Sequence, residues 1–247
     1  MRKPKPDKNR SKSRAIIRVI KWAIFIPVII FIAHQAITWP KVKPILKTNP
    51  KTTAFIELYK QKEKKAKRKP KIRWQWLPYS QISYNLKLAV LVSEDIGFFS
   101  HKGIDLAELK IAIMDSFKEK KLPRGASTIT QQTAKNLWLS PDYNPLRKLK
   151  ELVLAMELEY YLPKKRILEI YLNIAEFGPG IYGVQSASHY YFQKSASELN
   201  EQESAYLSAI LPKPSKWRPD SKSQAYQNRV QIILERMQTA TFLEKYI

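Results

Sequence analysis

From Trp22 to Ala33 the chain runs Trp-Ala-Ile-Phe-Ile-Pro-Val-Ile-Ile-Phe-Ile-Ala without a charged or amide side chain. A run of this kind does not stay in water: it fills a core or enters a bilayer. Ile16, Ile17, Val19 and Ile20 extend it across Arg18 and Lys21, so the apolar segment reaches from Ala15 to Trp39. A spanning helix needs about 20 mostly apolar residues. The segment attains that length when Arg18 and Lys21 snorkel to the headgroups, and Pro27 is tolerated in such a helix. A cleaved signal peptide is the alternative. Against it, His34 and Gln35 occupy the critical positions and no convincing small-x-small cleavage site follows. The sequence therefore predicts a retained transmembrane anchor over 15–39. Nine Lys and Arg precede Trp22 and four lie from Lys41 to Lys51, which predicts a cytoplasmic N-terminus and an exported remainder.

The formal charge of +23 suggests a nucleic-acid binder at first sight. Its distribution excludes that reading. Residues 1–73 carry 22 Lys and Arg against Asp7, Glu57 and Glu63, a net +19 that leaves only +4 for residues 74–247. The charge belongs to the ends of an anchor. Residues 1–14 are basic and without apolar periodicity, and are read as a disordered cytoplasmic tail. Residues 40–73, with Pro40, Pro44, Pro50 and Pro70 and the basic run Lys60 to Lys69, are read as a juxtamembrane linker. Each cation there is worth about 1 kcal/mol beside an anionic lipid surface. The chain has no cysteine, which removes disulfides and thiolate metal sites.

Residues 74–247 read as one mainly helical domain. Leu86 to Val92 is apolar almost all round, the mark of a buried helix, and it runs directly into Ser93-Glu94-Asp95 and then Gly97. A carboxylate at that place feels both the apolar interior and the negative end of the helix dipole. Both favour its protonated form, as general acid or base chemistry requires, although a capping or salt-bridged pair fits the same spacing. Asp105 is a predicted N-cap for a helix from Leu106, and His101 a structural histidine bridging to Asp105 or the backbone. Leu146, Leu149, Val153, Met156 and Tyr160 repeat in steps of three and four and predict a helix over 146–162 with that as its main stripe, while Leu152, Leu154 and Leu158 make it apolar on other sides too. Glu151 lies off the stripe among Arg147, Lys148 and Lys150, either salt-bridged or lining a cleft. Ile167, Leu168, Tyr171 and Leu172 form a further core stripe, and Leu199 to Leu211 is the last clear helix.

Between these helices lies Gly125 to Asn136, poor in large side chains, dense in hydroxyls and amides, and bearing a lone Lys135. As a helix it aligns Thr128, Gln131 or Gln132, Lys135 and Trp138 on one face. That face offers several donors and one point charge to an oxygen-rich anion. An ordinary polar surface helix with an N-capping serine has the same composition.

Taken together, five ordered motifs resemble the peptidoglycan glycosyltransferases, a family with a lysozyme-like, mainly helical fold. They are Glu94-Asp95 with Phe98, His101, Gly103 and Asp105; Gly125 to Asn136; Arg147-Lys148 with Glu151; Ile167-Leu168-Glu169 with Tyr171-Leu172-Asn173; and Gly183 with Ala187 and Tyr191-Phe192. The match covers about residues 80–212. No Ser-x-x-Lys penicillin-binding motif occurs, so the resemblance is to the monofunctional, membrane-anchored form, and the wording around Ile174 to Gly178 is most like the proteobacterial one.

The resemblance implies polymerisation of lipid II into β-1,4-linked glycan with release of undecaprenyl pyrophosphate. Glu94 would be the general base and Glu151 a second catalytic-site carboxylate that orients cations or holds a divalent ion. Ser127, Thr128, Gln132, Lys135 and Lys148 would bind substrate, the lysines and Gln132 at the pyrophosphate. No ligand set for a metal is evident. Implied partners are lipid II, the growing glycan chain and membrane lipid, with room for other cell-wall synthesis or division proteins. The implied location is the bacterial inner membrane, with a single span and a periplasmic domain. Two alternatives come from other classes: a lysozyme-like glycan hydrolase with Glu94 as general acid, and a non-enzymatic membrane scaffold of the cell-wall machinery.

Overall fold

The computed structural model describes residues 8–119, 127–142 and 144–247. The chain forms two compact units, Met1–Lys41 and Val42–Ile247. In the first, helix α1 spans Lys8–Ile37 with Pro27 inside it. It begins within the tail expected to be disordered; residues 1–7 lie outside the described part. Trp22, Phe25, Ile26, Val28, Ile29, Ile30 and Ile32 are all exposed on α1. Among the described residues no helix is long and apolar enough to cross a membrane, so the fold does not itself establish the anchor expected over 15–39.

The second unit starts earlier than the domain boundary expected at residue 74. Val42, Ile45 and Ile56 are buried, and α2 (Ala54–Lys65) is capped by Thr53, whose hydroxyl accepts from Ile56 N at 3.1 Å. Arg166 fixes the preceding turn by donating to the carbonyls of Ile45 and Thr48. Much of the expected linker is therefore part of the folded unit.

Helix α3 (Tyr84–Glu94) is the axis of that unit. Ser83 caps it by accepting from Leu86 N, and every residue from Leu86 to Val92 is buried. Enclosing each large aliphatic side chain stabilises the fold by about 1.5–3 kcal/mol. Helix α4 follows over Leu106–Glu119, started by Asp105, whose carboxylate accepts from Ala107 N and Glu108 N at 3.0 Å. Helices α5 (Ile129–Trp138), α6 (Pro145–Tyr161) and α7 (Lys164–Ile174) pack against one another around α5. The expected stripe of α7 is buried throughout.

The expected stripe of α6 faces the other way. Leu146, Leu149, Met156 and Tyr160 are exposed, while Glu151, Leu154, Ala155 and Leu158 are buried. Apolar residues occur on more than one side of this helix, and the side that carries Glu151 went inward because Arg147 and Lys148 neutralise it.

Two features are absent from the sequence reading. A small sheet in the order β1-β3-β2 joins β1 (Arg73–Trp74), β2 (Glu176–Gly178) and β3 (Ile181–Tyr182), with β1 parallel and β2 antiparallel to β3. Its turn holds Gly180 at φ +76°, where a β-carbon would lie 2.2 Å from the carbonyl of Lys71. Beyond α8 (Val184–Phe192) and α9 (Glu201–Ile210) comes a further helix, α10 (Gln224–Thr239), which buries Tyr226, Val230, Ile233 and Met237. Both α9 and α10 pack on α3. The small residues Ala205, Ser208 and Ala209 let α9 approach closely, and Ser208 Oγ donates to the Ala89 carbonyl at 3.0 Å.

Candidate active site

Helix α3 ends at Glu94, and its last carbonyls lack partners within the helix. Two arginines on one face of α10 supply them. Arg236 Nη1 donates to Val92 O at 3.1 Å and Arg229 Nη2 to Ser93 O at 3.2 Å. Arg229 Nη2 also donates to Glu94 Oε1 at 2.6 Å, while Gln132 Nε2 donates to Glu94 Oε2 at 2.9 Å. Each carboxylate oxygen accepts two hydrogen bonds, so both retain a lone pair for a further donor. Burial pushes Glu94 above the usual carboxylate range; Arg229, Gln132 and Lys135 pull in the opposite direction without cancelling it. The sequence expectation of a raised proton affinity is met, with burial as its leading cause.

The neighbouring Asp95 has a different task. Its Oδ2 accepts from Ile129 N, the first helical amide of α5, at 2.9 Å, and its Oδ1 lies 2.9 Å from His101 Nε2. The other ring nitrogen of His101 accepts from Gly103 N. His101 bridges to the backbone, one of the two expected partners, and to Asp95 rather than Asp105. Asp95 ties the start of α5 to the end of α3, and so fixes the cationic face of α5 relative to Glu94.

That face begins with Thr128, which caps α5 in place of the expected serine. It accepts from Gln131 N and donates to Gly103 O at 2.6 Å. Ser127 stands at the mouth and accepts from Lys148 Nζ at 3.1 Å. Lys148 also donates to Gln131 Oε1 at 3.1 Å and to Glu151 Oε1 at 2.5 Å, and Arg147 holds the other Glu151 oxygen at 2.5 Å. Lys135 is largely enclosed, with its ammonium 5.9 Å from the ring centre of Phe55, and among the described residues no carboxylate pairs with it. Burial lowers its pKa; Glu151 and Glu94 oppose this, while Arg147 and Lys148 reinforce it. A cation buried without a direct partner gains most when an anion arrives beside it.

The structure therefore brings Glu94, Gln132 and Lys135 together, and Ser127, Lys148 and Glu151 beside them. Thr128 lines the cleft but is 3 % exposed, with its hydroxyl bonded to the backbone. Gln132 links Glu94 to Tyr171, whose hydroxyl donates to Gln132 Oε1 at 3.0 Å, and its amide nitrogen keeps a second N–H beyond the one given to Glu94. Glu151 is engaged by Arg147 and Lys148, one on each of its oxygens. Among the described residues no group of three His, Asp or Glu side chains is placed to hold a metal ion. A cleft of about 420 Å³ opens over Glu94, bordered by Asp105, Glu108, Ser127 and Arg236. Arg229 and Arg236 were missed from sequence because they belong to α10; the spacing of Tyr226, Val230, Ile233 and Met237 was the signal that could have found them.

Residues 61–238 match the family model described as Transglycosylase. Among relatives, the chain is 37% identical over 227 residues to the biosynthetic peptidoglycan transglycosylase of Janthinobacterium sp. (strain Marseille), covering 90% of this chain and 96% of that one. It is 35% identical over 229 residues to the protein of the same description from Neisseria gonorrhoeae (strain NCCP11945), covering 93% and 98%. The corresponding protein of Thiobacillus denitrificans is 42% identical over 185 residues, covering 75% of this chain and 80% of the relative.

Proposed function

This chain belongs to the transglycosylase family and is a peptidoglycan glycosyltransferase, and on that premise we propose that it polymerises lipid II with Glu94 as general base. The 4-hydroxyl of the acceptor lipid II gives its proton to Glu94 as its oxygen attacks the anomeric carbon of the growing chain. The bond to the pyrophosphate breaks on the opposite face, its electron pair leaves with undecaprenyl pyrophosphate, and the new β-1,4 link is inverted. The observation that carries this reading is Glu94 itself: enclosed beneath the cleft, raised in proton affinity by burial, and held by Arg229 and Gln132 with lone pairs to spare. A base tuned upward from the carboxylate range is better matched to work near neutral pH.

Lys135 is the cation we assign to direct contact with the pyrophosphate, since among the described residues no carboxylate pairs with it. Lys148 and Arg147 add charge from a position fixed by Glu151, which acts by holding them. Charge accumulates on the leaving pyrophosphate in the transition state, so preorganised cations are worth more there than in the ground state. Both substrates carry lipid tails. The exposed apolar faces of α1 (Trp22, Phe25, Ile29) and α6 (Leu146, Leu149, Met156) support contact with membrane lipid. We further propose that α1 is the single inner-membrane anchor, with the N-terminus cytoplasmic and the catalytic unit periplasmic.

The test uses purified protein in detergent with labelled lipid II, with products read on a gel before and after muramidase. Muramidase-sensitive polymer that vanishes in Glu94→Gln and falls sharply in Lys135→Ala is expected. Breakdown of preformed glycan without polymer would reverse the role given to Glu94, and full polymerase activity in Glu94→Gln would remove it.

A further inference from the structure

We propose that Arg229 is a positioning residue for the base, holding Glu94 ionised and aimed so that one lone pair of each oxygen faces the cleft. This rests on the reading of Glu94 as the base. Three observations carry it. Arg229 Nη2 reaches Glu94 Oε1 at 2.6 Å while donating to Ser93 O at 3.2 Å, so one nitrogen fixes both the carboxylate and the backbone that bears it. Arg229 is itself fixed, because α10 buries Tyr226, Val230 and Ile233 and Arg236 clamps Val92 O from the same face. And among the described residues Arg229 is the one cation in an ion pair with Glu94.

The other groups facing Glu94 cannot replace it. Lys135 on α5 acts on Glu94 through space without a hydrogen bond. Tyr171 on α7 is neutral, since burial drives its hydroxyl well above the usual phenol range, and it spends that hydroxyl on Gln132. Arg236 is committed to Val92 O, and Asp95 to Ile129 N and His101. Asp105 and Glu108, which border the cleft, carry the wrong sign to hold a carboxylate ionised. Gln132 steers the second oxygen but brings no charge. Without the guanidinium, only Gln132 and Lys135 are left to oppose burial at Glu94.

The experiment is the pH dependence of kcat/KM for lipid II polymerisation in the full-length protein, with melting temperature measured on each variant. In Arg229→Gln the acid limb moves up by about one pH unit or more, the order expected when an opposite charge leaves a carboxylate. The deficit is therefore deepest at low pH and narrows as pH rises. Arg229→Lys keeps the limb nearer the wild type. Tyr226→Phe, which loses only the hydrogen bond from α10 to the Tyr206 carbonyl, melts lower with the limb in place. A uniform loss at every pH in Arg229→Gln, an unmoved limb, or failure of both Arg229 variants to fold would make the residue purely structural and overturn the proposal. The two readings separate cleanly. Polymer made by Glu94→Gln sinks the base, whereas an inactive Glu94→Gln beside an unmoved limb in Arg229→Gln sinks this inference alone.

Discussion

Glu94 and Glu151 are both largely enclosed carboxylates beside α5, yet their surroundings assign them opposite kinds of work. Glu94 ends its helix, meets one guanidinium and one amide, and keeps acceptor capacity toward the opening. Glu151 sits inside α6, and two cations from its own helix close on it at 2.5 Å each. One is left able to take a proton; the other is consumed in holding charge in place. Residue type and burial are shared, so the number of cations at each carboxylate is what separates base from brace.

The comparison is broken most directly by Glu94→Gln. It should cost about 10²- to 10⁴-fold in polymerisation, the range of a lost general base, with the fold intact by circular dichroism. A comparable loss from Glu151→Gln with no change in melting temperature would erase the distinction. Glu151→Ala should instead act first on stability: Arg147 and Lys148 lose their common partner, a change that costs about 3–5 kcal/mol for a buried pair. Thermal unfolding reads it. Lys135→Ala should lower kcat by about 10²-fold, as for removal of one preorganised group at a developing charge, with less effect on KM.

The smallest effect has the most telling sign. Because burial raises the folded-state pKa of Glu94 above its unfolded value, its charged form weakens the fold at pH values above that raised pKa. The penalty fades as pH falls and the folded protein takes up its proton. Glu94→Gln should therefore melt higher than the wild type at neutral pH, and the gap should close on acidification. A variant that melts lower at neutral pH would mean that Arg229 outweighs burial.

Much of this contrast was legible in the sequence. Seven buried residues running into an acid announced the Glu94 helix, and the stripe Ile167, Leu168, Tyr171, Leu172 went inward as its spacing required. Where reading failed, the reason is physical. The stripe of α6 faces out because ion pairing, which hydrophobic spacing does not count, made the Glu151 side the better one to bury. The strands of the small sheet are two or three residues long, too short to show an alternation of period two. The chain from Tyr171 through Gln132 to Glu94 joins residues far apart in sequence, which spacing along one helix does not show. Arg229 lies outside the five motifs altogether, so the resemblance that pointed to Glu94 did not extend to its counter-charge.

The packing of α10 on α3 also bears on when, during synthesis, the protein becomes an enzyme. A nascent chain released as far as Pro212 already carries every motif, but its α3 ends in bare carbonyls and Glu94 has no guanidinium beside it. The counter-charge proposed for Glu94 thus arrives with a stretch translated later, and the end of α3 is finished only when that last helix docks.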